Sequence, residues 1–347
     1  MFILRILLLP LSLIYGTITF IRNLLFDWGV FRVTKHQVPI ISVGNLSMGG
    51  TGKTPHVEFL ISQLNDKYQL ATLSRGYGRK TKGYVIANSE SDANTIGDEP
   101  LQYYHKFENI KVAVDGNRNR GAKKLLQTHP ETELLILDDA YQHRFIHRDL
   151  NIMLSDFHNV YKIDHVVPSG QLREFRRGAK RADIIVITKT PVVLSPITRR
   201  RFEDELKLKD HQKLLFSKIE YDGFISFNQG NKLKKEPTVS TILLFEGIAN
   251  SYPLQDYLKR FCNELIVLSF ADHHNYTKKD IELIHKTYTD VFSKNKLIVT
   301  TEKDAQRLST SEHKDVLKSC PLFYIPIHVV FHNGDEKVLM DSIQNIF

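Results

Sequence analysis

The sequence predicts an α/β protein: a P-loop NTPase-type α/β/α sandwich, a second, smaller α/β series behind it, and an N-terminal membrane-associated helix. Three observations predict this. Apolar, β-branched runs alternate with helix-like segments over residues 40–190, the pattern of a parallel sheet covered on both faces. Pro39–His56 reads PIISVGNLSMGGTGKTPH: a short strand, a glycine-rich loop, then a helix start. Ile6–Ile21 carries no charge and is bracketed by Arg5 and Arg22.

Composition sets the outer limits. The 347 residues suit two domains of ordinary size, and 42% apolar with 25% charged residues describes a globular chain. Forty-seven Lys and Arg against 39 Asp and Glu leave a net charge of +8, which favours acidic partners such as nucleotide, phospholipid or a phosphorylated substrate. Cys262 and Cys320 form no C-x-x-C pair, which argues against a disulfide framework or structural zinc and fits a reducing cytosol.

The N-terminal run of sixteen residues would span about 24 Å as a helix, short of the roughly 30 Å hydrocarbon core. A cleaved signal peptide would need small residues at its end, and Ile-Arg-Asn-Leu-Leu-Phe stands there instead. A full span would require Arg5 or Arg22 to snorkel. A helix inserted part-way, with its basic flank at the headgroups, fits length and charge directly. The alternative is a helix buried in the protein's own core.

The glycine-rich loop comes next. Ser47, Met48, Gly49, Gly50, Thr51, Gly52, Lys53 and Thr54 form a cradle in which backbone N–H groups and a helix start face phosphate oxygens. Lys53 would reach the β- and γ-phosphates, and the Thr54 hydroxyl would bind Mg²⁺. Ser47 stands where the strict pattern has Gly, while Gly49 and Gly50 keep the loop supple. Further strands are expected at Leu70–Leu73, Lys111–Val114, Leu134–Leu137, Asn151–Leu154 and Ile184–Ile187, with helices at His56–Leu64, Glu99–Phe107 and Arg118–Leu126. The charged stretch Tyr221–Glu236 breaks the alternation as a linker or hairpin. A second series then runs through Thr241–Phe245, Leu265–Leu268 and Leu297–Thr300. The expected divisions are therefore a membrane helix over 1–36, a P-loop core over 37–220, a linker over 221–238 and a C-terminal α/β domain over 239–347.

Chemistry gathers at strand ends. Leu134–Leu137 runs into Asp138 and Asp139, the form of a Walker B element whose carboxylates hold Mg²⁺ beside a phosphate loop. In Gly97-Asp98-Glu99-Pro100, Asp98 is either an N-cap or the acceptor of a hydroxyl proton. Basic clusters at Arg75–Lys82 and Arg173–Arg181 are placed to meet phosphate groups, whereas Arg199-Arg200-Arg201 reads as solvated surface. No nucleic-acid motif accompanies them, so nucleic acid is not an expected partner. In Phe270–Tyr276, adjacent His273 and His274 do not suit a zinc site; a histidine orienting a carboxylate does.

Taken in order, VGNLSMGGTGKTP, LSRGYGR, GDEP, ILDDAYQHRFIHRDLNI, PSGQLRE…RAD…ITK, ADHHNY and TTEKDAQRL closely resemble the tetraacyldisaccharide 4'-kinase family, almost from end to end. The family has Ser or Thr where this chain has Ser47. The resemblance implies two α/β/α sandwiches joined by a β-linker, with the N-terminal helix resting in the bilayer at the cytoplasmic face of a Gram-negative inner membrane. It implies ATP and Mg²⁺, a membrane-borne tetraacyldisaccharide 1-phosphate as substrate, and a monomer. Asp98 matches the catalytic carboxylate and His273 the histidine that pairs with it, with His274 as the alternative. Glu99, Asp138 and Asp139 match acids around the metal; Gln142, His143 and Arg118 match residues near the site, with Arg120 a competing alignment for Arg118. Arg75, in LSRGYGR, is taken with these as a substrate or transition-state contact. Ala140-Tyr141 replaces the family's Gly-Phe, so Ala140 occupies a glycine position. A rival reading is a nucleotide-hydrolysing switch, against which Pro191 replaces the Asp of a guanine-reading motif after Thr188-Lys189. A nucleotide-dependent lipid-binding scaffold is a third.

Overall fold

The computed structural model describes residues 2–272, 274–309 and 314–347 and divides into two compact units, one of Met1–Ile219 with Val329–Phe347 and one of Glu220–His328. The first is built on a nine-stranded sheet. At its centre Ile40–Asn45 lies between Leu134–Asp138 and Leu150–Asp156, parallel to both, with Val43 in register with Asp138. Leu70–Ser74 and Lys111–Val114 extend one side; Ile184–Thr188 and Lys213–Tyr221 extend the other, all in parallel. Central strands of this kind read as unbroken apolar runs because both faces are covered. All six residues of Ile40–Asn45 and all five of Leu134–Asp138 are buried. Each strand expected in this unit is present to within a residue or two.

The chain's last segment departs from the expected boundary of 239–347. Ile327–Phe331 joins the first sheet beside Lys213–Tyr221, and Val329, Phe331, Leu339 and Ile343 pack into the core that also holds Val57 and Leu60. Burial of that apolar face draws the tail back to the first unit. Arg199, expected on a solvated surface, is part of the same closure. It pairs with Asp335 on the returning helix Asp335–Gln344 and lies over the Phe216 ring at 4.5 Å.

The second unit carries a five-stranded sheet in the order Cys262–Ser269, Val239–Glu246, Lys296–Thr301, Leu322–Ile325, Ile225–Ser226. The last strand is antiparallel to its neighbour, so the stretch expected as a linker over 221–238 is woven into this sheet.

The N-terminal helix covers Phe2–Asp27 and is not a core helix. Leu7, Leu13 and Ile18 are 69%, 65% and 61% exposed. One face docks on the first unit: Ser12 Oγ accepts from Ser169 N at 2.8 Å, Asn23 donates to Glu174 at 2.6 Å, and Gly16 leaves room for the Phe175 ring. Its section Leu7–Asp27 is long and apolar enough to cross a membrane.

Candidate active site

Gly49, at φ 120°, takes a backbone conformation that side chains disfavour. The loop it belongs to leaves the central strand at Asn45, whose side-chain amide donates to Thr51 Oγ1 at 2.8 Å. From the strand Ile184–Thr188, Thr188 Oγ1 donates to Thr51 O at 2.9 Å. Lys189 donates to Gly50 O and pairs with Asp156 at 2.9 Å. Met48 N donates to Gln171 O at 2.6 Å and Ser47 bridges Leu172. Gly52, left-handed at φ 84°, caps the helix Lys53–Leu64. His56 faces Gly52 O at 2.7 Å and Ser217 Oγ at 2.9 Å, and burial pushes its pKa down to about 4, so it is neutral at pH 7. The loop's outer face remains open: a Cβ added at Gly49 or Gly50 would meet no atom within 4 Å.

Asp138 and Asp139 stand at the end of the neighbouring strand, in opposite electrostatic states. Asp138 is 5% exposed; Tyr103 Oη donates to its Oδ2 at 3.0 Å, while its Oδ1 is buried with no hydrogen-bond partner. Burial, with Asp139 and Glu99 nearby, pushes its pKa up to about 6. Burial acts on Asp139 in the same sense, yet Lys53 and Arg173 hold it below the usual carboxylate range. Both Asp139 oxygens accept from Arg173, at 2.8 and 3.1 Å, and Lys53 Nζ lies 3.8 Å away. In this structure the partners of Asp139 are thus cationic side chains. Asp139 is also the left-handed residue of this turn, at φ 46°, and Ala140 is not, which explains how Ala140 replaces a glycine without strain.

Arg118 is 2% exposed at the start of the helix Arg118–Thr128, donating to Asp115 O at 2.7 Å and toward Asp138 O at 3.4 Å. Arg120 instead grips the Asp115 carboxylate at 2.7 and 2.8 Å. Gln142 Nε2 donates to Asn45 O at 2.9 Å, at the root of the loop. Burial together with Arg118, Arg75 and Arg22 lowers His143 to about 4 against the pull of Asp139, so it too is neutral at pH 7. Arg75 is exposed just past the strand Leu70–Ser74.

Asp98 is the first residue of the helix Asp98–Lys106, so it is not the N-cap; Gly97 is. Gly97, at φ 92°, also passes so close to the preceding loop that a Cβ would lie 2.8 Å from Tyr77 O. Asp98 and Glu99, both half-buried, occupy the positive end of this helix. His273 lies outside the described residues. His274, its neighbour, bonds Asp280 at 3.0 Å within the second unit. Among the described residues no group of three or more His, Cys, Asp or Glu could hold a metal by itself.

The family model for Tetraacyldisaccharide-1-P 4'-kinase matches residues 4–346. The chain belongs to the tetraacyldisaccharide 4'-kinase family. Relatives named tetraacyldisaccharide 4'-kinase include those of Flavobacterium johnsoniae, 41% identical and covering 99% of this chain and 98% of the relative, and Bacteroides thetaiotaomicron, 42% identical over 94% and 90%. LpxK from Aquifex aeolicus, solved in complex with ATP, aligns with a TM-score of 0.75 at 29% identity, covering 99% of each chain. For a member of this kinase family, the sequence left several residues around the loop and the strand-end acids without a specific role: Asn45, His56, Tyr103 and Lys189, while Arg173 was placed only within a basic cluster. The GTGKTPH run contained a signal for His56, since a histidine four residues past Gly52 faces the same turn of helix. Lys189 reaches the loop from 139 residues along the chain, and Arg173 reaches Asp139 from 34, which no local pattern reveals.

Proposed function

We propose that this chain transfers the γ-phosphoryl group of ATP to the 4'-hydroxyl of tetraacyldisaccharide 1-phosphate, a lipid A precursor, at the cytoplasmic face of the inner membrane. The observation that carries the reading is the open glycine-rich loop lying beside a buried carboxylate with one oxygen unsatisfied. An orphaned, partly protonated carboxylate of this kind fits a divalent cation, which would offset both its desolvation and the repulsion from Asp139 and Glu99. Asp138 and Thr54 would hold Mg²⁺, with Glu99 beside them. When bound, it would neutralise charge on the β- and γ-phosphate oxygens.

The loop's backbone, with Lys53, would hold the triphosphate. Asp139 keeps Lys53 and Arg173 aimed at the phosphates, and buried Arg118 adds a fixed positive charge where the equatorial oxygens gather theirs. Transfer to a sugar hydroxyl then depends on in-line positioning, with Asp98 orienting the hydroxyl and taking its proton. His143, neutral, would donate or accept a hydrogen bond to the sugar or its phosphate without adding charge. The exposed apolar face of the N-terminal helix would keep the site at the bilayer, where the acyl chains of the substrate remain.

The test is transfer of label from γ-³²P-ATP to purified tetraacyldisaccharide 1-phosphate in detergent micelles with Mg²⁺. Wild type should give labelled lipid and Lys53→Ala none. Labelled inorganic phosphate without labelled lipid would overturn the reading.

A further inference from the structure

Two helices carry the reacting groups of the proposed site, and one buried acid joins them. Glu58 lies four residues after Thr54 on the helix Lys53–Leu64, so the two share a face. Gln102 and Lys106 follow Asp98 at intervals of four on the helix Asp98–Lys106, so these three also form one stripe. The two faces meet: Gln102 Nε2 donates to Glu58 Oε1 at 2.7 Å, and Lys106 Nζ donates to Glu58 Oε2 at 2.9 Å. Glu58 is 6% exposed and Gln102 4%. On the adjacent stripe, Glu99 precedes Tyr103 by four residues, and Tyr103 holds Asp138.

Burying a carboxylate is costly, and a pair of apolar side chains would join two helices more cheaply. What the polar junction adds is a preferred register, because the two hydrogen bonds to the Glu58 carboxylate are directional and hold their length at one alignment of the helices. We propose that Glu58 is a positioning residue: it sets the register of the helix that starts at Asp98 against the helix that starts at Lys53 and Thr54. The proposal rests on the reading of Asp98 as the proton acceptor. A displacement of about 1 Å at the reacting hydroxyl is enough to cost on the order of a hundredfold in rate.

The experiment measures kcat and KM for ATP in the lipid-phosphorylation assay, with the full chain in micelles. The variants are Glu58→Leu, Glu58→Gln and the exchanged pair Glu58→Gln/Gln102→Glu, each alone and combined with Asp98→Asn. Glu58→Leu should lower kcat on the order of ten- to hundredfold with KM for ATP little changed. The exchanged pair keeps an amide–carboxylate bond and a carboxylate near Lys106, and should recover most of the loss seen in Glu58→Gln. With Asp98→Asn in place, the Glu58 substitutions should have little further effect, since no base remains to be misplaced. Unchanged kcat in Glu58→Leu, or equal losses with and without Asp98, would overturn the proposal. If Glu58→Leu does not fold, the Glu58→Gln and exchanged-pair comparison in both backgrounds decides in the same way. Normal turnover in Asp98→Asn alone would instead overturn the base assignment, whatever the Glu58 variants do.

Discussion

In the first unit the strand Leu134–Asp138 ends in an acid with one oxygen unmet; in the second, Val239–Glu246 ends in an acid with both oxygens used. Glu246 Oε2 accepts from Ile248 N at 3.1 Å and Oε1 from Ser269 Oγ at 2.7 Å. The acids at the helix starts differ in burial. Asp98 is half-buried at the first turn of its helix, whereas Asp304, fully buried in the helix Glu302–Ser309, accepts from Gly247 N, Thr301 Oγ1 and Arg307 Nη1 at 3.0, 2.6 and 3.0 Å. Both units are built on mainly parallel sheets with acids at the carboxyl ends of central strands, where ligands of such folds collect. An acid whose bonds are complete is a brace. An acid left short of them in a buried place is held for something the chain alone does not provide.

The sharpest way to break this comparison is at Asp98. Asp98→Ala should lower kcat by roughly 10²–10⁴ while leaving ATP affinity nearly intact, because a proton acceptor contributes in the transition state and little to nucleotide binding. Near-normal turnover, measured with saturating lipid, would place Asp98 among the braces.

Asp138→Asn comes next and has two opposed effects. Its folded pKa of about 6 is raised above the ordinary 3.8, so the folded chain binds the proton more tightly than the unfolded one across that interval. The buried charge therefore costs stability at pH 7. Replacing it by the neutral amide should raise the stability of the nucleotide-free protein by up to about 3 kcal/mol. That gain should fade as pH falls from about 6 towards 4, and lipid phosphorylation should be lost with it. Denaturant unfolding of both proteins at pH 7 and pH 4 checks the first effect. A destabilised Asn variant at pH 7 would show that Asp138 is satisfied after all.

The strands, the loop and the strand-end acids were legible in the sequence because each is a local pattern: an apolar run, a glycine cluster, an acid at the boundary. Ser47 to Thr54 needed no partner elsewhere to be read. The partners of Arg199 and Asp139 were not legible, for a common reason. Arg199 is bound by Asp335, 136 residues further on, and Asp139 by Arg173, 34 residues on. The return of Val329–Phe347 to the first sheet is of the same kind, set by an apolar face whose partner core is built from residues 41–215. Whether an acid at a strand end is satisfied depends on these distant partners, so Asp138 and Glu246 look alike as sequence and differ only once the chain is folded.

The smallest expected effect is therefore also the most direct control. Glu246→Gln keeps the shape of the side chain and removes its charge. The amide can still accept from Ile248 N through its oxygen and donate to Ser269 Oγ through its nitrogen, so both contacts survive as weaker, neutral hydrogen bonds. The loss should be about 1 kcal/mol, seen as a small fall in the unfolding midpoint, with kcat for lipid phosphorylation unchanged. Because the oxygens of Glu246 are already taken inside its own unit, removing its charge leaves no ligand unheld. A fall in kcat much larger than the fall in stability would mean that completed hydrogen bonding does not separate brace from site, and the contrast between the two sheets would lose its meaning.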